Sequence, residues 1–277
     1  MKKLSLFVLS IFLLASCGNH IANPNQDKQN IFIPKTQDAQ SETWDLQGVT
    51  ITSSWVSADD ALKILMDWNS RFVSGSKLVN LEYNASPSVR EWLAKWQTPY
   101  AVVLTCSDSR LPPELIFDQW LWQIFVVRVA WNIVSPHELG SIEYAIEHLG
   151  SKLIMVLWHE KCWAVKATYQ AVLSGSTVPW NLWSIVKDIE PSVKKVLSEK
   201  KTATDAEKVE ECIVENIHNV GEWLEVKSPV IKEFVEAKWV KIVRAKYALA
   251  DWKVTLLEGQ AEKEEPKEIK TPAPVKK

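Results

Sequence analysis

Two short segments hold the residues best suited to chemistry: Cys106-Ser-Asp-Ser-Arg110 and His159-Glu-Lys-Cys162. Between them they offer two thiolates and one imidazole to a single metal ion, a donor set that suits Zn2+. Structural zinc sites usually take all four ligands from the protein, whereas catalytic ones leave a position for water or substrate. Three ligands therefore point to activation of water. A Cys106–Cys162 disulfide is the rival use of the same sulfurs, but it would leave His159 between them without a task. Cys212 falls in a helical stretch and reads as a small apolar filler.

The elements around these segments are expected to bring them together. Ser57, with Asp59 and Asp60 behind it, opens a helical pattern through Phe72, with Ala61, Leu62, Leu65 and Met66 on one face; Trp68 is expected to interrupt its far end. Tyr100 to Thr105 and Ile124 to Val129 are unbroken apolar runs, the pattern of strands buried on both faces. Ser135-Pro-His-Glu138 is a capping box with proline at the first helical position, opening a helix that stops near Gly150. Leu153 to Leu157 is the next strand, and a helix follows from about Ala164 to Leu173. Alternating strands and helices predict an α/β fold, a central and mainly parallel β-sheet flanked by helices. Cys106 and His159 both stand at carboxyl ends of strands, where open α/β sheets bind their ligands.

A longer set of residues resembles the β-class carbonic anhydrases, in particular their bacterial members. It comprises Cys106-Ser-Asp-Ser-Arg110-Leu-Pro-Pro-Glu114, Phe117-Asp-Gln119, Phe125-Val-Val-Arg-Val-Ala-Trp-Asn132, Leu139-Gly-Ser-Ile-Glu-Tyr-Ala145 and His159-Glu-Lys-Cys162-Trp163-Ala164. The resemblance runs from about Ala58 to Leu257. It implies that Cys106, His159 and Cys162 bind Zn2+, that Asp108 and Arg110 form a catalytic dyad, and that carbon dioxide and bicarbonate are the substrates. Gln119 and Tyr144 are implied as polar groups of the substrate pocket. A homodimer or higher assembly is implied too, with the active site at the subunit interface. Regulated family members, in which the aspartate caps the metal, tend to carry Trp three residues before the first cysteine. Val103 stands there, implying the open form. Hydrolysis of carbonyl sulfide or carbon disulfide on the same centre is an alternative, and so is a non-catalytic zinc protein. His137, His148 and His218 could carry protons but read equally well as surface or capping residues.

The ends of the chain have a different character. Lys2 and Lys3, an apolar run from Leu4 to Leu14 and Leu14-Ala-Ser-Cys17 resemble a bacterial lipoprotein signal, with the run too short to span a bilayer. Residues 1–17 are thus expected to be a signal ending at lipidated Cys17, holding an exported protein to the extracytoplasmic side of a membrane. Residues 18–56 read as a polar tether, 57–257 as the folded domain, and 258–277 as a disordered charged tail. A net charge of −2 without a basic stripe argues against a nucleic-acid partner.

Composition adds one anomaly: 15 Trp and 8 Gly in 277 residues, where glycine ordinarily makes up about 7 %. Trp252 sits between two strand-like runs, Trp158 at a strand end, and Trp180 and Trp183 after Pro179, all places where glycine is the usual residue. The resembled family has glycine at Trp131, Trp158 and Trp163, and often at Trp68, Trp120, Trp122, Trp180, Trp183 and Trp252. Many of these positions are expected to be glycine in the natural protein, read from a reassigned UGA codon; if they are truly Trp, the rings at 158 and 163 would crowd a close-packed turn.

Overall fold

The computed structural model describes residues 45–46, 49–50, 56–76, 91, 93–95, 97–119 and 121–257. The signal, most of the tether and the tail lie outside the described residues, and so does the side chain of Trp131. In chain order the elements are β1 (Asp45–Leu46), β2 (Val49–Thr50), α1 (Ala58–Val73), β3 (Ala101–Cys106), α2 (Pro113–Ile116) and β4 (Ile124–Val129). There follow a 3-10 turn (Ala130–Asn132), α3 (Pro136–Glu147), β5 (Leu153–His159), α4 (Trp163–Ser174), α5 (Leu182–Glu199), α6 (Asp205–Lys227), α7 (Pro229–Glu236), β6 (Lys241–Tyr247) and β7 (Val254–Leu256). No helix among the described residues is long and apolar enough to cross a membrane.

Five strands form one sheet in the order β4-β3-β5-β6-β7, all neighbours parallel except β6 and β7. The mainly parallel α/β architecture expected from the sequence is the one observed. Parallel neighbours need long crossovers, and the helices supplying them cover the sheet on both sides. On one face Val102, Leu104, Ile154 and Val156 pack with α3, α4, α5 and α6. On the other, Val103, Met155 and Leu157 pack with Ala61 and Leu65 of α1.

Local sequence explains the element ends. Ser57 caps α1 by accepting from the Asp60 N–H at 3.1 Å. The Ser135–Glu138 capping box forms as expected, and Thr204 with Glu207 makes a second at the start of α6. The helix α3 stops at Glu147, and Gly150 takes a positive φ of 77° just beyond. Gly221 on α6 leaves room for the Arg244 side chain, since a Cβ there would sit 2.2 Å from its Nε.

Several expectations need correction. The strands β3 and β5 are buried throughout, but β4 is partly exposed because it forms the sheet edge and Arg128 points outward. Trp68 does not interrupt α1: it falls on the buried stripe with Ala61 and Leu65, at i, i+4 and i+7, and the helix runs past it. Trp158 sits within regular strand and Trp183 within α5, so neither backbone demands glycine. Trp163 is 73 % exposed and crowds no turn. Trp122, Trp180 and Trp252, by contrast, take left-handed φ of 77°, 55° and 63°. Such a conformation costs an L-residue about 1–2 kcal/mol.

Candidate metal centre

Cys106 ends β3 and His159 ends β5, which lie side by side with Thr105 opposite Leu157. Cys162 is the residue from which α4 starts, three places after His159. One ligand atom from each of the three falls within 4.8 Å of the others, and all three residues are buried. Cys106 belongs to the core on the α1 face and Cys162 to the core on the opposite face, so the site lies at the seam where the two cores meet. Neither cysteine is in a disulfide, and Cys212 is buried in α6.

The donor chemistry fits a cation. His159 is 1 % exposed; its Nδ1 pairs with the Glu160 carbonyl at 2.8 Å, while its Nε2 has no hydrogen-bond partner among the described residues. That arrangement sets the tautomer with a proton on Nδ1 and aims the Nε2 lone pair inward. The hydrogen bond that the Cys162 thiol makes to Cys106, together with burial, raises the pKa of Cys162. Two buried thiols do not ionise easily together without a positive charge between them, and a metal ion supplies it. An orphaned imidazole nitrogen facing two sulfurs is what Zn2+ would satisfy.

Asp108 stands at the rim. Its Oδ1 accepts from the Arg110 N–H at 3.0 Å and Nε at 2.9 Å, and its Oδ2 accepts from Nη2 at 2.7 Å. This fork holds the Asp108 carboxyl at about 2, below the usual carboxylate range, chiefly through the Arg110 side-chain hydrogen bond. Its Oδ2 is also 3.8 Å from His159 Nε2, beside the place a metal would occupy. The carboxylate is thus engaged with arginine, and Val103 lies fully buried below.

Arg128 escaped the sequence reading. From the edge strand β4 its Nη2 donates to the Asp108 carbonyl at 2.7 Å and its Nε to the Cys106 carbonyl at 3.3 Å. A charged residue inside the apolar run Phe125 to Val129 was the available signal. Gln119 is buried, with Tyr100 donating to its amide oxygen and its nitrogen donating to the Phe117 and Asp118 carbonyls. None of these bonds reaches the three ligands. Tyr144 is half-exposed; its ring meets Phe125 and His148, and it borders an open surface groove of about 590 Å3 with Leu93, Leu121, Trp122 and Leu149.

Comparison with known proteins agrees with this picture. The family model described as carbonic anhydrase matches residues 101–254. A carbonic anhydrase of Mycolicibacterium smegmatis is 37 % identical over 199 residues, covering 71 % of this chain and 91 % of that protein. Carbonic anhydrase 2 of Mycobacterium tuberculosis is 35 % identical over 198 residues, with the same coverage of each chain. Among solved structures, the β-carbonic anhydrase CcaA superposes with a TM-score of 0.59 at 22 % identity, covering 72 % of this chain and 95 % of that one. One of two tetrameric β-carbonic anhydrases from Sordaria macrospora gives a TM-score of 0.57 at 22 % identity, covering 64 % and 90 %.

Proposed function

The chain belongs to the β-class carbonic anhydrases, and on that premise we propose that Cys106, His159 and Cys162 hold Zn2+ for the reversible hydration of carbon dioxide to bicarbonate and a proton. Zn2+ bound there supplies Lewis acidity and lowers the pKa of a bound water, to about 7 in the known three-histidine carbonic anhydrase centre. The protein's own residues do the rest. Asp108, kept ionised by Arg110, offers an acceptor at the rim for a proton of the reacting water and so orients it. Arg128 holds the backbone carrying Asp108. The pair Nδ1–H to Glu160 O keeps His159 pointed at the cation.

The observation that carries this reading is the buried His159 Nε2, without a hydrogen-bond partner among the described residues, grouped with two cysteine sulfurs that form no disulfide and with an ionised carboxylate 3.8 Å away. Metal analysis with stopped-flow carbon dioxide hydration tests it. The purified chain is expected to hold one zinc per protomer and to be active, and Cys162→Ser to lose both. A zinc-loaded wild-type chain without hydration activity overturns the catalysis, and sulfide release from carbonyl sulfide, assayed alongside, identifies a hydrolase instead.

Three wider features belong to the same proposal. The protein is held at the extracytoplasmic face of a membrane by lipid on Cys17, a reading supported by the Lys2-Lys3, apolar and Leu14-Ala-Ser-Cys17 sequence. It works as a homodimer or larger assembly, for which the tetrameric relatives of Sordaria macrospora and the edge strand β4 are the support. The natural chain carries glycine at Trp122, Trp180 and Trp252, supported by their left-handed φ and by the excess of Trp over Gly. Trp158 adds a packing argument, its large ring being fully buried in β5 beside His159. Mass spectrometry of the protein from its source reads lipid and codons together. Acylated Cys17 and glycine-containing peptides are expected, and intact Trp peptides across positions 122, 180 and 252 end the reassignment.

A further inference from the structure

The 3-10 turn after β4 carries Asn132 back under the strand ends, where it is fully buried. Its Nδ2 donates to two carbonyls at once, Leu104 O at 3.1 Å and Leu157 O at 2.9 Å. Leu104 precedes Cys106 by two residues on β3, and Leu157 precedes His159 by two residues on β5. A single amide group thus spans the seam between the two strands that deliver metal ligands, at the same distance along the chain from each. Asn132 also takes a left-handed φ of 51°, and its Oδ1 meets no donor among the described residues. Asparagine tolerates that φ better than most residues. An amide that leaves one end unsatisfied is poorly explained by its own stability, and such costs tend to gather at functional sites.

We infer that Asn132 is a positioning residue for the metal centre, fixing the spacing of Cys106 and His159 through the carbonyls of Leu104 and Leu157. The inference rests on the zinc reading above. Geometry of this kind is what partners behind the ligands supply, and losing one typically weakens metal binding about 10- to 100-fold. Asn69 offers the contrast. It is buried with Nδ2 donating to Ile116 O and Trp252 O and Oδ1 accepting from Val254 N, so both ends of its amide are used and these bonds go to neither β3 nor β5.

The test uses the full chain with Asn132→Gly, which permits the positive φ, Asn132→Asp, which keeps the shape but turns a donor into an acceptor facing two carbonyls, and Asn69→Ala as comparison. Zinc affinity is read by competition with a chelator, the Co2+-substituted protein gives ligand-field bands that report centre geometry, and Tm gives stability. Both Asn132 variants are expected to bind zinc about 10- to 100-fold more weakly with shifted cobalt bands, while Asn69→Ala lowers Tm and leaves affinity and bands unchanged. Asn132 variants that lose Tm but keep wild-type affinity and bands overturn the inference and leave a structural brace. A wild type that binds no zinc sinks the zinc reading first, and is recognised before any variant is made. Should neither Asn132 variant fold, zinc titration of 15N-labelled wild type decides: Asn132 side-chain amide signals that move with zinc support the coupling, and unmoved signals refute it.

Discussion

The two loops beside the Cys106–His159–Cys162 cluster are held in different ways. The loop after β3 follows Cys106 and carries the Asp108–Arg110 pair. It is held by charge, through the Arg110 fork on Asp108 and the Arg128 bonds to the Cys106 and Asp108 carbonyls. Arg110 is half-exposed, so this restraint faces solvent. The loop after β5 joins His159 to Cys162 and is held by bonds that backbone N–H groups donate, one to a carbonyl and two to carboxylates: Glu160 N–H to Tyr247 O at 3.1 Å, Leu249 N–H to Glu160 Oε2 at 3.3 Å and Lys161 N–H to Glu210 Oε1 at 3.2 Å. Holding a cation needs fixed distances, which hydrogen bonds to the backbone provide; handling a proton needs a carboxylate whose ionisation is set by a neighbouring charge. The division puts what senses pH and salt on the first loop and what sets geometry on the second.

Substitutions that act on one loop sharpen this contrast. The largest effect is expected for Arg110→Gln, which frees the Asp108 carboxyl from about 2 to rise towards its ordinary value, about 3.9. Stopped-flow hydration should fall about 10- to 100-fold with zinc retained. Because the folded pKa lies below the unfolded one, the pairing stabilises the protein above about pH 4 and is lost as pH falls to about 2. The acid-side drop in wild-type Tm across that window should shrink in the variant; an unchanged Tm profile would mean the fork contributes nothing. Next in size is Arg128→Lys. An ammonium cannot reproduce a two-pronged guanidinium contact, so about one hydrogen bond worth about 1 kcal/mol is lost. That is about a fivefold drop in kcat/KM with unchanged zinc content. The smallest effect is expected for Glu210→Gln on the second loop, since an amide oxygen still accepts from Lys161 N–H. Urea unfolding should change by no more than about 0.5 kcal/mol. A large loss of zinc there would show that charge also holds the second loop.

The fold was largely legible because its signals are local. Unbroken apolar runs marked β3 and β5, the Ser135–Glu138 box marked α3, and strand–helix alternation gave the parallel sheet. What stayed hidden is relational. The edge position of β4 depends on strand order, which the run Ile124 to Val129 does not encode, so Arg128 read as one more strand residue. Trp68 looked like an interruption because a bulky ring gives no hint in sequence that it falls on the buried stripe. That Cys106, His159 and Cys162 come together was readable from residue type and placement at strand ends. Gln119 was expected near the substrate yet spends its amide on Tyr100 and two carbonyls, a satisfaction visible only once the chain is folded.

His159 is almost wholly shielded and both sulfurs are buried among the described residues, so the three side chains offer a competing chelator little surface. Complete removal of a bound ion is expected to need the strand ends to part, an excursion short of global unfolding. Stripping kinetics should then level off as chelator is raised. The plateau clocks how often this end of the sheet breathes, whatever the strength of the competitor.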